Sequence, residues 1–220
     1  MSPHFIFRAA YSWRPFNEAI ILNNMINVKL TLILEKTPIP IFYQLLSKGF
    51  IIHARTGCSI KELLCEQFGI KNDYLDKRIQ TIFLDNKTVD DVKSTFIRNG
   101  STLALSAAMP GILGATLRKG GWYAPMRREI SHDKDIPSDT GKKGKITVKL
   151  FNLIVRELGP LILEQGIWIN GEDFYDIVAR NENVLMAGCK KAVADDNQID
   201  PEKLMDVEWK GKQVFLQIKS

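Results

Sequence analysis

The residues best able to do chemistry lie close together between Leu103 and Arg128. Met109, Pro110, Gly111, Gly114, Gly120 and Gly121 stand among small apolar residues, and Trp122, Tyr123 and Met126 follow. The charges of this stretch, Arg118, Lys119, Arg127 and Arg128, are all positive. A glycine-rich backbone flanked by cations cradles phosphate, and aromatics set between cations stack on bases. Arg118, Lys119, Gly120, Gly121, Trp122, Tyr123, Arg127 and Arg128 are therefore the candidate binding residues. Neither a Walker spacing nor a dinucleotide fingerprint is present. The competing reading is a close-packed connector whose cations face water.

Two further groups carry reactive types. His53 falls in an expected strand, and Cys58 stands just before a helix N-terminus. The helix dipole there stabilises a thiolate, and a neighbouring imidazole takes its proton. No orienting acid accompanies the pair, and a half-buried structural cysteine is the plainer reading. Glu172, Asp173 and Asp176 form one acidic cluster, and Asp195, Asp196 and Asp200 form another. Neither follows the calcium-loop spacing, and both read as solvated helix starts. Histidines at 4, 53 and 132 give no zinc spacing. No catalytic residue, metal ligand or cofactor is expected.

The chain has 220 residues and a formal charge of +5, a mild basic excess that permits contact with nucleic acid or other anions. Cys58, Cys65 and Cys189 are too few and too odd in number for a disulfide framework, which points to a reducing cytoplasm. No apolar run reaches the roughly 18 to 20 residues of a membrane span. Residues 1–24 lack a signal-peptide pattern and read as a poorly ordered extension, with Met25 as the natural start.

Positioning falls to the elements around these groups. Val28–Leu34 and Phe50–Ala54 read as strands. Ser59 and Glu62 form a capping box that opens a helix with Ile60, Leu63, Leu64 and Phe68 on its apolar stripe, closed by Gly69. Phe42–Leu46 reads as a short helix. Arg78–Leu84 leads into the turn Asp85-Asn86-Lys87-Thr88, and Asn99-Gly100 precedes the strand Thr102–Ser106. Residues 129–145, polar, with Pro137, Ser138, Gly141 and Gly144 and little apolar content, read as a linker. Beyond it Leu150, Ile154, Leu158, Leu161 and Ile162 space as a helix, which Gly159-Pro160 kinks or divides. Val184–Ala194 reads as another helix and Val207–Ile218 as a hairpin turning near Lys210-Gly211. No internal repeat emerges.

Read in order, with a short strand and a helical turn over Val89–Arg98, residues 25–121 give ββαβββ and resemble the ubiquitin-like β-grasp proteins. The likeness is to their sulfur-carrier branch, the small subunit of molybdopterin synthase and the thiamine sulfur carrier. The residues that carry it are Val28–Leu34, Ser59-Ile60-Lys61-Glu62-Leu63-Leu64, Ile82-Phe83-Leu84-Asp85-Asn86-Lys87 and Asn99-Gly100-Ser101-Thr102-Leu103-Ala104-Leu105. Carriers of that family end in Gly-Gly, whose carboxylate is adenylated and converted to a thiocarboxylate. Here Trp122 and about a hundred residues follow Gly120-Gly121, so the resemblance implies processing after Gly121 and an adenylating partner enzyme.

The expected architecture is α+β. A β-grasp domain over 25–128 is joined through 129–145 to a smaller, mainly helical domain over 146–220 that ends in a hairpin. The expected function is a non-enzymatic module that binds another protein, away from membranes. The alternatives are a sulfur-carrier precursor and an RNA-contacting module built on Arg118, Lys119, Trp122, Tyr123, Arg127 and Arg128.

Overall fold

The computed structural model describes residues 27–35, 39–130 and 141–220, with backbone alone over 128–130. The expected extension 1–24 and the start at Met25 lie outside the described residues. Alternating apolar residues make β1 (Asn27–Leu34) and β2 (Phe50–Arg55), separated by the helix α1 (Tyr43–Lys48). The capping box forms as its sequence dictates: the Ser59 hydroxyl accepts from the Glu62 amide, and the Glu62 carboxylate accepts from the Ser59 amide at 2.6 Å. The helix it starts, α2, has an α-helical turn (Ile60–Glu62) that widens into a π-helical turn (Leu63–Gln67). α3 (Asn72–Lys77) follows, then the hairpin β3 (Thr81–Leu84) and β4 (Lys87–Thr88), then β5 (Thr102–Ser106). Asp85 and Asn86, both at positive φ, form the hairpin turn.

A long crossover containing α4 (Gly111–Leu117) leads to β6 (Lys143–Phe151). Then come α5 (Asn152–Gln165), β7 (Ile167–Asn170), α6 (Gly171–Arg180) and α7 (Glu182–Gly188). The chain closes with β8 (Cys189–Ala194), β9 (Asn197–Ile199) and β10 (Gln213–Lys219). The order strand, helix, strand, two helices, three strands thus occurs twice, once on each side of the crossover.

All ten strands join one mixed sheet in the order β4-β3-β5-β6-β2-β7-β10-β1-β8-β9. β5/β6 and β10/β1 run parallel, and every other neighbouring pair runs antiparallel. Five strands outward from β2 and five outward from β7 therefore repeat one pattern of directions. Each half of the chain contributes its first strand to the other group: β6 lies between β5 and β2, and β1 lies between β10 and β8.

The second half departs from expectation at several points. Beside its helices it supplies β6 to β10, five of the ten strands. Leu150 belongs to β6 rather than to a helix, and β6 begins at Lys143, inside the stretch expected as a linker. The terminal hairpin is instead the single strand β10, which pairs with β7 and β1. Val184–Ala194 divides at Gly188 into α7 and β8, and α5 runs through Pro160 as one helix of 14 residues.

The core lies under one face of the sheet. Val28, Leu30 and Leu32 of β1, Val148 and Leu150 of β6 and Leu216 of β10 are fully buried there. α5 packs on β10, β6 and β5, and α6 on β7. Each such side chain contributes about 1.5–3 kcal/mol by leaving water, which fixes which face of each strand turns inward.

Candidate anion-binding face

Period-two alternation sends the remaining side chains of the strands to the opposite face. There the chemistry is uniform in sign. None of the ten strands holds an aspartate or glutamate, whereas Lys29, Arg55, Lys143, Lys145, Lys149, Lys191 and Lys219 all fall on this face. Lys29 approaches Asp196 at 3.8 Å and Arg55 approaches Glu66 at 3.9 Å, both exposed and weak. Among the described residues, no carboxylate lies within ion-pairing distance of Lys143, Lys145, Lys149 or Lys191.

Three rings occupy the middle of the face. Trp168 of β7 lies 5.7 Å from His53 of β2 and 5.3 Å from Phe215 of β10, between centroids. Register sets this arrangement, since Trp168 is directly opposite Phe215 and bridges Ile51. Phe215 lies over Gly166, where a β-carbon would come within 2.3 Å of the ring. Trp168 and Phe215 are half-buried and His53 is exposed.

Beside the rings the cations line a cleft of about 670 Å³, bounded by His53, Arg55, Gln67, Asn99, Lys143 and Lys145. Arg55 pairs with Lys143, and His53 with Lys145, across β2 and β6. The widened turn of α2 matters here, because it brings Gln67 to the end of β2. The Gln67 carbonyl accepts from the Arg55 amide at 2.8 Å, and its amide donates to the Arg55 carbonyl at 3.3 Å. Asn99 holds the other wall by accepting from the Lys145 amide at 2.8 Å. A smaller hollow of about 140 Å³ continues from His53 and Lys145 to Asn27, Gln213 and Trp168.

The residues singled out between Arg118 and Arg128 serve partly to fasten the crossover. Arg127 is buried: it donates to the Thr88 hydroxyl at 2.5 Å, to Asp90 at 2.6 Å and to the carbonyls of Thr116 and Arg118. Lys119 donates to the Leu75 carbonyl at 3.0 Å, and burial lowers its pKa below the ordinary lysine value. The Gly120 amide donates to Asp90, and Gly121 packs against Arg118 and Ala115. Arg118 and Tyr123 are exposed, and Trp122 projects 91% exposed. The Arg128 side chain lies outside the described residues.

Cys58 and His53 do not form a hydrogen-bonded pair. The Cys58 thiol donates to the Arg55 carbonyl at 3.0 Å and accepts from Gln67 at 3.3 Å. Burial, with a lesser push from Glu62, raises its pKa, the opposite of an activated nucleophile. The acidic clusters resolve into local partners: Glu172 accepts from the Gly211 amide, Asp173 pairs with Lys48, and Asp200 caps the turn that follows it. Among the described residues no group of three histidines, cysteines or carboxylates is placed to hold a metal ion. No helix among them is long and apolar enough to cross a membrane.

The reading from sequence alone passed over Trp168, Phe215 and the strand lysines. One signal for them was present: Lys143, Lys145, Thr147 and Lys149 alternate with Ile146, Val148 and Leu150.

No family model matches the chain, nor does any curated protein or solved structure.

Proposed function

We propose that this protein is a non-enzymatic binding module that takes an anionic partner on the open face of its sheet. The observation that carries this reading is the segregation of charge: Lys29, Arg55, Lys143, Lys145, Lys149, Lys191 and Lys219, with no strand carboxylate, lie on a face centred on three rings. Positive charge that is mostly unpaired attracts anions over several ångströms and supports no bond-making chemistry by itself. The test is retention of the full chain on immobilised heparin. Elution should require high salt, and the double variant K143E/K145E should elute much earlier. Unretained wild-type protein would overturn the reading.

The sheet also supports a ubiquitin-like unit. In each group of five strands a parallel inner pair is flanked by antiparallel strands, β2-β6-β5-β3-β4 and β7-β10-β1-β8-β9. The group β2-β6-β5-β3-β4 has the β-grasp order with β6 in the place of the first strand, whereas in β7-β10-β1-β8-β9 the two inner strands are transposed, so the arrangement supports a β-grasp reading of the first group alone.

A second reading, docking of a partner protein, is favoured by the crossover. Ile112, Leu113, Trp122 and Met126 are 84%, 72%, 91% and 78% exposed, more than lone surface apolar residues require. Co-purification of a protein that the double variant W122A/M126A no longer retains is its test. The sulfur-carrier reading draws less support. Gly120 and Gly121 are tied to Asp90 and Arg118, and cleavage after Gly121 would cut the covalent link between β5 and β6, which pair directly in the one sheet.

A further inference from the structure

We infer that the anionic partner is single-stranded RNA, laid across β2, β7 and β10 with bases on Trp168 and Phe215 and phosphates against the strand cations. The inference rests on the open face being an anion-binding surface and goes further by naming what binds.

Three features select the ligand. First, the cations extend too far across the sheet for one small anion to engage them all. Lys145 on β6 and Lys191 on β8 are separated by five strand spacings, roughly 24 Å at about 4.8 Å each. Only a chain with repeating charge reaches both. Along β6 itself Lys143, Lys145 and Lys149 recur in steps of about 7 Å or multiples of it, the order of the phosphate repeat in an extended strand.

Second, the rings stand among the cations rather than apart from them. Lys145 is the direct cross-strand neighbour of His53, whose ring is 5.7 Å from Trp168. Inorganic polyanions and sulfated sugars have no use for such rings, whereas an unpaired base stacks on them. A duplex keeps its base faces covered, so the rings favour a single strand.

Third, the hollow beside Trp168 is polar in a particular way. Asn27 and Gln213, register partners on β1 and β10, line it together with His53 and Lys145. Side-chain amides both donate and accept, as a ribose 2′-hydroxyl does, and deoxyribose lacks that group.

The experiment is fluorescence anisotropy of a labelled 12-nucleotide oligo(U) with the full-length chain, with heparin binding measured in parallel. Variants W168L and F215L remove stacking, and K145E, at an exposed position, reverses a charge without touching the core. We expect oligo(U) affinity to fall at least tenfold between 50 and 200 mM salt. W168L and F215L should each weaken RNA roughly tenfold while reducing heparin binding much less. K145E should weaken both ligands. Oligo(dT) and duplex RNA should bind several-fold more weakly than oligo(U).

Heparin bound as tightly as RNA, with W168L affecting both alike, would overturn the RNA assignment and leave the anionic reading standing. Equal binding of oligo(dT) or of duplex RNA would also overturn it. Binding of neither ligand would remove both readings, and if the protein then ran as a dimer that W168L dissociated, the face would belong to a second copy of the chain.

Discussion

Ile51 and Trp168 face each other in the backbone bridge that joins β2 to β7, and this is the register point between the two five-stranded groups. The seam is therefore narrow in backbone terms and is closed on the open face by side chains. His53, Trp168 and Phe215 pack across three strands, so the rings that define the candidate site also stitch the halves together. Aromatic pairs of this kind contribute about 0.5–1.5 kcal/mol each beyond their buried area.

Gly166 is predicted to control Phe215. Its φ is +97°, and an added β-carbon would meet the ring at 2.3 Å. G166A should destabilise the protein by about 1–3 kcal/mol, from the backbone alone, because the half-buried ring swings aside. The swing should appear as a changed near-ultraviolet circular dichroism band. In an F215L background the spectral change should vanish while the stability loss persists.

Arg127 should behave as a structural residue. It is buried and donates to Asp90, Thr88 and two carbonyls of the crossover. R127A strands these acceptors, and we expect a loss of about 2–4 kcal/mol in urea unfolding. R127K should recover only part of it, since an ammonium lacks the guanidinium fork. A loss below about 0.5 kcal/mol would contradict the arrangement.

The capping box predicts a pH dependence. Hydrogen bonds from the Ser59 backbone and hydroxyl hold the Glu62 carboxyl below the usual glutamate value. A depressed folded-state pKa gives stability that is complete above the unfolded value of about 4.3 and is lost as pH falls through the folded one. E62Q keeps an acceptor at the third helical position. It should cost about 0.5–1 kcal/mol at pH 7, discounted for exposure, and the gap to wild type should close at acid pH.

Thiol reactivity gives a fourth check. Burial raises the pKa of Cys58, Cys65 and Cys189 alike, so little thiolate exists near neutrality. Alkylation by iodoacetamide at pH 8 should be slower for the folded chain than for the urea-unfolded one, and should accelerate as pH rises. A cysteine that reacts faster when folded would reopen the nucleophile reading of Cys58.

The tie between Tyr74, Arg78 and Glu157 supplies the last. The Tyr74 hydroxyl donates to Glu157 at 2.7 Å, and the Arg78 guanidinium pairs with the same carboxylate. This joins α3 to α5, elements nearly eighty residues apart. Y74F should cost about 0.5–1.5 kcal/mol, R78A should destabilise in the same direction, and the double variant should lose less than the sum of the two, as measured by a thermodynamic cycle.

What the sequence determined by itself is whatever neighbours decide among themselves. The alternation of Val28, Leu30, Leu32 and Leu34, the reciprocal bonds of Ser59 and Glu62, and the turn at Asp85-Asn86 each depend on residues within a few positions, and each formed where expected. β6 was hidden because its polar start at Lys143-Gly144-Lys145 reads as a linker and Leu150 also fits a helical spacing with Ile154 and Leu158. β8 was hidden because its identity as a strand comes from pairing with β1, some 160 residues earlier. The binding face could be seen only in the tertiary structure. Lys29, Arg55, Lys145, Trp168, Lys191 and Phe215 lie on six different strands, and strand order is set by which buried faces close over one core. That choice is a non-local competition among pairings, so no window along the chain contains it.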